Sequence, residues 1–304
     1  MSTDTHPPRF TVVVPVGPDP AELDRLADLL ISLRVCGRDG AHGPPKLVLI
    51  DDAPRPRKLE RFWSGAAVVR TALWERRAPD PLSAMTAGTI EAMKRAEGEF
   101  ALKLDTDALV IGPFADALSA AFAADPSLGV LGAYDRSPDG GRRDWSMWPA
   151  RLRRSTWLVS LAPAAGRGWR LRVRPRRERV AARAVLAAAG ANRSYELGAH
   201  CLGGAYAVSR RLLAQASQWD WRPWVGAGLG EDVVVGLYCA AAGLRMGGMV
   251  DSGEPFGVNW SGLPAPPPEL VERGFGIVHS VKSGRYGTEA GLRAWFRAHT
   301  QGEL

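Results

Sequence analysis

The sequence has little cysteine and no long apolar run. Its three cysteines are scattered without CxxC spacing, which predicts neither a disulfide framework nor a zinc site: Cys36, Cys201 and Cys239. No stretch of about 18 apolar residues occurs, so we expect no membrane-spanning helix. The amino-terminal segment MSTDTHPPRFTVVVPV lacks the charged start and the cleavage site of a signal peptide. These features favour a cytoplasmic protein, and the abundance of Ala, Arg and Gly is typical of a GC-rich bacterial genome.

The positive charge of the chain is concentrated in one segment. The 304 residues are 46% hydrophobic and 23% charged, which is the composition of an ordinary globular protein. The formal net charge is +7, yet the stretch from Arg142 to Arg183 holds thirteen arginines against Asp144 and Glu178. That segment has a net charge of +11, so the rest of the chain carries −4. A basic insertion on a mildly acidic body argues against nucleic-acid binding as the main function.

Strands and helices alternate along the sequence. Apolar runs predict strands at 10–16, 46–53, 65–74, 100–107 and 128–134. Helical spacing predicts helices at 19–36, 83–99, 115–124, 177–190 and 230–246, and a strand or turn leading into a further helix after residue 200. This alternation predicts an α/β fold in which helices cover both faces of a parallel sheet.

Acidic residues follow several of the predicted strands. Pro15, Asp51, Asp52, Asp105 and Asp107 all fall at carboxyl ends, where α/β sheets bind their ligands. Asp105 and Asp107 would project the same way from an extended chain, because side chains repeat every two residues. Two carboxylates that close repel each other unless a positive charge lies between them. The pair is therefore either a solvated turn or the ligand of a divalent cation, and the other strand ends favour the cation.

A series of short motifs carries a resemblance to a known family. VVVPV, LVLIDDA and GTIEAMKRAEGEF are followed directly by LDTD, and later by GGAYAVS, GLGEDVVVGL and GIVHSVK. In this order they resemble the nucleotide-sugar glycosyltransferases of the GT-A fold, most closely family 2, from Thr11 to Lys282 apart from the basic insertion. The resemblance implies a Rossmann-like, mixed, mostly parallel sheet in a single domain, residues 1–304. Its parts would be a nucleotide-sugar-binding half at 10–135, the basic insertion at 136–192, and an acceptor-binding half with the tail at 193–304.

The resemblance also implies an activity and a cofactor. The protein would be a hexosyltransferase of the EC 2.4 class that uses Mn²⁺ or Mg²⁺ to move a sugar from a UDP- or GDP-sugar to an acceptor hydroxyl. Asp107 would bind the metal directly, and Asp105 would bind metal-bound water or the ribose hydroxyls. His279 would be the third metal ligand, with Lys282 meeting the diphosphate as a point charge. From the residues alone, a lone histidine such as His279 is more often a structural residue than a ligand.

Four further residues are candidates for contacts to the nucleotide. Asp51 and Asp52 either cap the turn APRP or place one carboxylate, preferably that of Asp52, against the nucleobase or ribose. The end of the first strand at Pro15 would supply backbone contacts to the base. Thr86 lies in the segment LSAMTAG, where family 2 often has an arginine or asparagine before the glycine.

The motif GLGEDVVVGL provides the candidate catalytic acids. Glu231 and Asp232 open a predicted helix, where the helix dipole favours carboxylates whatever their function. The resemblance implies that Asp232 is the general base of an inverting transfer and that Glu231 orients the acceptor hydroxyl or the base. The segment WDWRPW is either core or a sugar platform, which would face a wall of small residues and one tyrosine. The acceptor candidates are Gly203, Gly204, Tyr206, Trp221 and Trp224.

Two other functions and one further partner stay open at this stage. A nucleotidyltransferase would share the sheet and the paired acids, but GPDPAEL lacks the Gly- and Arg-rich loop that it needs. A non-catalytic carbohydrate- or membrane-binding module would not need intact acids. The arginines of the insertion alternate with Trp145, Trp148, Trp157 and Trp169. They form either a solvated face or a surface that holds the protein at the anionic inner face of a membrane or grips a phosphate-bearing acceptor such as a lipid-linked sugar.

Overall fold

A seven-stranded sheet occupies the centre of the computed structural model, which describes residues 8–37, 44–71, 80–161, 170–282, 284–300 and 302. Its strands, in chain order, are β1 (Phe10–Val16), β2 (Lys46–Asp51), β3 (Ala67–Val69), β4 (Phe100–Leu104), β6 (Leu128–Gly132), β9 (Ala205–Ser209) and β10 (Arg245–Gly248). Across the sheet they lie in the order β10-β6-β9-β4-β1-β2-β3. Only β9 runs antiparallel to its neighbours β4 and β6 within this sheet. The predicted α/β class with a mixed, mostly parallel sheet is confirmed.

Helices cover both faces of this sheet, as predicted. The helices are α1 (Ala21–Cys36), α2 (Pro81–Met93), α3 (Ala115–Ala124), α4 (Trp148–Ser155), α5 (Arg176–Ala191), α6 (Arg210–Leu213), α7 (Glu231–Ala241), α8 (Pro267–Glu272) and α9 (Glu289–Thr300). Val13 of β1 packs with α2, α5 and α7, whereas Val12 and Val14 pack with α1 and α3 on the other face. Because successive strand residues point to opposite faces, a strand covered on both sides is apolar throughout.

The antiparallel strand β9 brings two glycines to the end of β4. Their register pairs Lys103 with Tyr206 and Leu104 with Ala205, so the residues that precede β9 lie beside the residues that follow β4. The backbone N–H of Asp105 donates to Gly204 O at 2.9 Å. The start of β9 is thereby fixed against the acid pair.

A small second sheet brings the late histidine to the same place. It consists of β5 (Leu109–Val110), β11 (Phe256–Val258) and β12 (Ile277–His279), in the order β11-β12-β5. β12 pairs antiparallel with β5 and matches Val278 with Leu109. Since β5 begins just after Asp107, this pairing places His279 beside the acid pair.

Several element boundaries differ from the sequence prediction. α2 ends at Met93, not 99, and the chain turns through Gly98 (φ +96°) before β4. The predicted helix at 230–246 ends at Ala241, because Gly243 (φ +71°) reverses the chain into β10. The strand predicted at 65–74 is β3, and residues 72–74 lie outside the described residues.

The basic insertion contains α4, a hairpin of β7 (Leu158–Leu161) and β8 (Arg170–Val173), and α5. The helix predicted at 177–190 is confirmed as α5, which packs against α7. Two members of the Arg- and Trp-rich set, Arg167 and Trp169, lie outside the described residues. Among the helices in the described ranges, none combines the length and apolarity needed to cross a bilayer.

Candidate active site

A cavity of about 340 Å³ opens at the carboxyl ends of the central strands, a size that suits a small-molecule ligand. Eight of the fifteen residues predicted for the site line it: Asp105, Asp107, Gly203, Gly204, Glu231, Asp232, His279 and Lys282. Further lining residues come from α2, from α4 and from the loop that follows β11: Leu82, Met85, Trp148, Arg151, Asn259 and Trp260.

The acid pair converges on His279 through a turn and not along an extended strand. β4 ends at Leu104, and Ala108 N donates to Asp105 O at 3.0 Å, so the expected alternation of side chains is replaced by a tight reversal. His279 Nε2 lies 3.2 Å from Asp107 Oδ1 and 3.7 Å from Asp105 Oδ2. One ligand atom from each of the three residues lies within 4.8 Å of the other two.

These three side chains fit a divalent cation. His279 Nδ1 lies 2.9 Å from Asn259 O, which makes Nδ1 the protonated nitrogen and leaves the Nε2 lone pair facing the carboxylates. A cation at that point would take the place of the proton that His279 and Asp107 otherwise share. Glycine is required next to this ring, because a Cβ on Gly204 would lie 2.2 Å from His279 Nδ1.

Asp107 is held in its charged form. Burial alone would raise the pKa of this carboxyl, but hydrogen bonding to His279, the charges of His279 and Lys282, and the Ser280 hydroxyl together lower it well below its usual range. Ser280 Oγ donates to Asp107 Oδ2 at 2.5 Å, and Lys282 Nζ lies 3.2 Å from the same oxygen. Oδ1 is left facing the candidate metal position.

A buried lysine joins the acid pair to the catalytic candidates. Lys103 is fully buried in β4, and its Nζ donates to Asp105 Oδ1 at 2.6 Å and to the carbonyl of Gly203. The same Nζ lies 2.9 Å from Glu231 Oε1, an ion pair outside hydrogen-bonding geometry, so this oxygen has no hydrogen-bond partner within the described structure. Burial would lower the pKa of Lys103, but the charges of Asp105 and Glu231 outweigh it and raise that pKa.

Glu231 and Asp232 open α7 and line the same cavity. Burial raises the pKa of both carboxyl groups, and Lys103 opposes this effect at each of them. Asp232 Oδ1 accepts from Val233 N at 2.8 Å, and a Cβ on Gly203 would lie 3.1 Å from the carboxylate oxygens of both acids. The backbone of Gly203 therefore approaches this pair as closely as a side-chain-free residue allows.

His200, together with Arg143 of the insertion, lies behind Asp232. His200 Nε2 lies 3.8 Å from Asp232 Oδ2 and 3.2 Å from Arg143 Nη2, while His200 Nδ1 donates to Gly198 O at 2.8 Å. Burial and the charge of Arg143 lower the pKa of His200 to about 4, so the ring is neutral near pH 7. Arg143 stacks on Trp145 at 4.2 Å, with its guanidinium 2.6 Å from His200 O.

The predicted nucleotide contacts lie outside this cavity lining. Asp51 is enclosed by cations, with Arg57 Nε at 2.8 Å and Arg70 Nη1 at 3.2 Å, and it accepts from the N–H groups of the following turn. This arrangement matches the capping alternative for Asp51. Asp52, Pro15 and Thr86 are buried, and Thr86 Oγ1 lies 3.5 Å from Leu229 O.

The predicted aromatic platform also lies outside the lining. Trp224 is buried in the core, where its indole N–H points to Tyr238 Oη at 3.4 Å, and Trp221 donates to Glu91 Oε1 at 3.0 Å. Tyr206 is 1% exposed, beneath Lys103. The indoles that do line the cavity are Trp148 from the insertion and Trp260, which is 78% exposed at the mouth.

Sequence reasoning missed Lys103, His200, Arg143 and Trp260. Lys103 is the one charged residue inside an otherwise apolar strand, which is a signal that it must have a buried partner. His200 stands three residues before Gly203, the first residue of the GGAYAVS motif. No comparable signal marks Arg143 among thirteen arginines or Trp260 among eleven tryptophans.

Solved structures that are similar to the chain include a mannosyltransferase. A mannosyltransferase from Pyrobaculum calidifontis, solved with GDP-Man and Mn²⁺, matches at 17% identity with a TM-score of 0.41, over 80% of this chain and 55% of that one. TarS 1-349 from S. aureus matches at 17% identity with a TM-score of 0.39, over 79% of this chain and 58% of that one. The chain thus spans little more than half the length of either structure. No family model matches the sequence, and no curated protein matches it.

Proposed function

We propose that the chain is a metal-dependent glycosyltransferase that moves a sugar from a UDP- or GDP-sugar to an acceptor hydroxyl. The observation that carries this proposal is that one cavity holds two different acidic sites. Asp105, Asp107 and His279 form a candidate cation site, the donor end of the cavity, and Glu231 and Asp232 open the helix that forms its acceptor end. The first suits a diphosphate leaving group, and the second suits an attacking hydroxyl.

At the donor end, two carboxylates and an imidazole nitrogen converge, and these are ligands that suit a divalent cation. Asp105, Asp107 and His279 each offer one ligand atom within 4.8 Å of the other two. A bound Mn²⁺ or Mg²⁺ would supply Lewis-acid stabilisation of the departing diphosphate. Lys282 is half-exposed and lies beside Asp107, so its ammonium group can turn toward a phosphate group of the diphosphate.

At the acceptor end, Asp232 would accept the proton of the attacking hydroxyl, with inversion at the anomeric carbon. Its carboxylate lies near the cavity surface of Gly203, and its raised pKa makes it a better proton acceptor than an exposed aspartate. Arg143 and Lys103 oppose the effect of burial, so the group is kept available as the carboxylate. Glu231 would orient the hydroxyl or the base.

Donor hydrolysis tests this proposal directly. A panel of UDP- and GDP-sugars should show turnover with Mn²⁺ or Mg²⁺ and none with excess EDTA. Asp107→Asn should remove that turnover, whereas Asp116→Asn, an exposed carboxylate paired with Arg9, should not. Metal-independent binding of nucleotide without turnover would favour the non-catalytic module, and release of pyrophosphate from a nucleoside triphosphate would favour a nucleotidyltransferase.

We also propose that the outer surface of the insertion binds anionic lipid headgroups, so that the protein would act at the inner face of a membrane. Six arginines there have no carboxylate partner among the described residues: Arg153, Arg154, Arg176, Arg177, Arg179 and Arg183. Arg179 and Arg183 stack on Trp157 at 5.1 and 4.0 Å, and this indole is 49% exposed. Val180 beside them is 59% exposed. Unpaired cations around an exposed indole suit an anionic bilayer surface.

Vesicle sedimentation tests this surface. The protein should pellet with phosphatidylserine-containing vesicles at low salt and be released at high salt, since each basic residue near such a surface contributes about 1 kcal/mol. Arg179→Ser with Arg183→Ser should lower the partition coefficient by roughly tenfold or more. The matched pair Arg210→Ser with Arg211→Ser, outside the insertion, should not. Equal binding to neutral and anionic vesicles would contradict the proposal, and salt-sensitive binding of free phosphate esters alone would point to a phosphate-bearing acceptor.

A further inference from the structure

Lys103 occupies an unusual position for a lysine. It lies in the middle of the sheet, in a strand with five buried residues, and its side chain is 1% exposed. A lysine is almost never buried so completely unless its charge is paired, because desolvation of the ammonium group is costly. Here the pairing involves two carboxylates that belong to different parts of the chain.

The two carboxylates have different tasks in the proposed reaction. Asp105 follows β4 and belongs to the candidate cation site, whereas Glu231 opens α7 next to the candidate base. Lys103 Nζ lies 2.6 Å from Asp105 Oδ1 and 2.9 Å from Glu231 Oε1. Its third contact is the carbonyl of Gly203, on which a Cβ would lie 3.1 Å from a carboxylate oxygen of both Glu231 and Asp232.

Two of the three N–H donors of the ammonium group are used by Asp105 and the Gly203 carbonyl, and its charge also pairs with Glu231. Asp105 and Glu231 would otherwise be two buried like charges with no cation between them, and each would turn away from the other or take up a proton. The lysine therefore determines both the distance between the two carboxylates and their direction. It also holds the Gly203 carbonyl in place through a hydrogen bond.

We propose that Lys103 is a positioning residue that couples the two ends of the cavity, so that the leaving group and the attacking hydroxyl are aligned along one line. The inference rests on the proposed transferase function. Alignment of this kind is demanding, since a displacement of about 1 Å in the reacting groups can cost on the order of 10²-fold in rate. Lys103 touches neither reacting group itself and acts through Asp105, Glu231 and the Gly203 backbone.

A double-mutant cycle tests the coupling. Lys103→Met should lower kcat by roughly 10²-fold. Glu231→Gln should lower it as well, and the combination Lys103→Met with Glu231→Gln should be no slower than Lys103→Met alone, because both changes break one unit. Lys94→Met is the matched control, since Lys94 pairs with Glu91 on the exposed side of α2 and should leave kcat unchanged.

Thermal unfolding of the same four proteins separates positioning from folding. Lys103→Met leaves two buried carboxylates without their cation and should lower Tm by about 10 °C, whereas the double variant should recover part of that loss. A positioning role requires the kcat of the double variant to stay low although part of the Tm loss is recovered. Recovery of kcat together with Tm would make Lys103 structural and overturn the inference.

The outcome for the inference is distinct from the outcome for the proposed function. An inactive wild-type protein on every nucleotide sugar would remove the transferase proposal and this role with it. An active wild-type protein whose Lys103→Met variant keeps its kcat, or whose two single losses multiply in the double variant, would overturn the coupling alone.

Discussion

Asp107 at the donor end and the two acids at the acceptor end are carboxylates under opposite electrostatic conditions, whereas burial raises the pKa of Asp105 as it does that of Glu231. At the donor end, Asp107 is surrounded by His279, Lys282 and Ser280, and its pKa is lowered well below the usual range. At the acceptor end, burial dominates and raises the pKa values of Glu231 and Asp232. A carboxylate with a lowered pKa stays ionised and is suited to bind a metal ion, whereas a carboxylate with a raised pKa is suited to accept a proton. Environment, not residue type, separates the two proposed roles.

Removal of the charge at Asp107 is expected to have the largest effect. Asp107→Asn keeps the shape of the side chain but removes the anion that faces His279 and Lys282. Donor turnover should fall by about 10³-fold or more, because stabilisation of the leaving group by a metal contributes several kcal/mol. Steady-state assays over a Mn²⁺ titration measure this loss. Full turnover at saturating Mn²⁺ would show that Asp107 is not needed for the metal.

The corresponding change at the acceptor end should leave donor binding intact. Asp232→Asn removes the proposed base, and turnover should fall by about 10²–10⁴-fold, the usual contribution of general base catalysis. The nucleotide dissociation constant should stay within a few-fold of the wild-type value. Asp24→Asn, an exposed carboxylate in the first turn of α1, is the matched control.

Two results would argue against this role of Asp232. Loss of nucleotide binding in the Asp232→Asn variant would make the residue part of the donor site. Retention of configuration at the anomeric carbon, measured by NMR of the initial product, would exclude a single inverting displacement with Asp232 as base.

The smallest expected effect is a shift in pH dependence. The base works as a carboxylate, so kcat/KM falls as pH decreases through the pKa of Asp232, and a raised pKa moves this acid limb toward neutrality. The charge of Arg143 lowers the pKa of Asp232 and opposes the effect of burial. Arg143→Met should therefore move the acid limb to higher pH, and Arg143→Lys should move it less.

The control for this shift is an arginine that stacks on a tryptophan elsewhere. Arg222→Met, next to Trp221 and outside the cavity, should leave the pH profile unchanged. An unchanged acid limb in Arg143→Met, with the enzyme still active, would show that the insertion does not influence the base.

The strands and the acid pair could be predicted because their signals are local. Continuous apolar runs such as Phe10–Val16 predict strands that are covered on both faces. The two carboxylates that follow β4 repel each other, which predicts a positive charge or a cation between them. The start of α7 at Glu231 and Asp232 could also be predicted locally, because carboxylates are favoured in the first turn of a helix. These features depend only on neighbouring residues.

The parts that could not be predicted depend on pairing between distant segments. The antiparallel register of β9 on β4 decides that Gly204 meets Asp105, and nothing within either strand encodes that register. Trp221 and Trp224 occur next to the GLGEDVVVGL motif in sequence, yet they pack into the core, while Trp148 reaches the cavity from the insertion. Proximity in sequence was a poor guide to which indole faces the cavity.

The metal dependence of nucleotide binding tests the central claim most directly. Isothermal titration of UDP and of GDP into the wild-type protein, with Mn²⁺ and then with excess EDTA, compares the two states without any acceptor or turnover. Convergence of Asp105, Asp107 and His279 predicts tight binding of one of the nucleotides with Mn²⁺ and a loss of at least about tenfold in affinity with EDTA. Equal affinity in the two conditions would contradict a metal-bridged donor site.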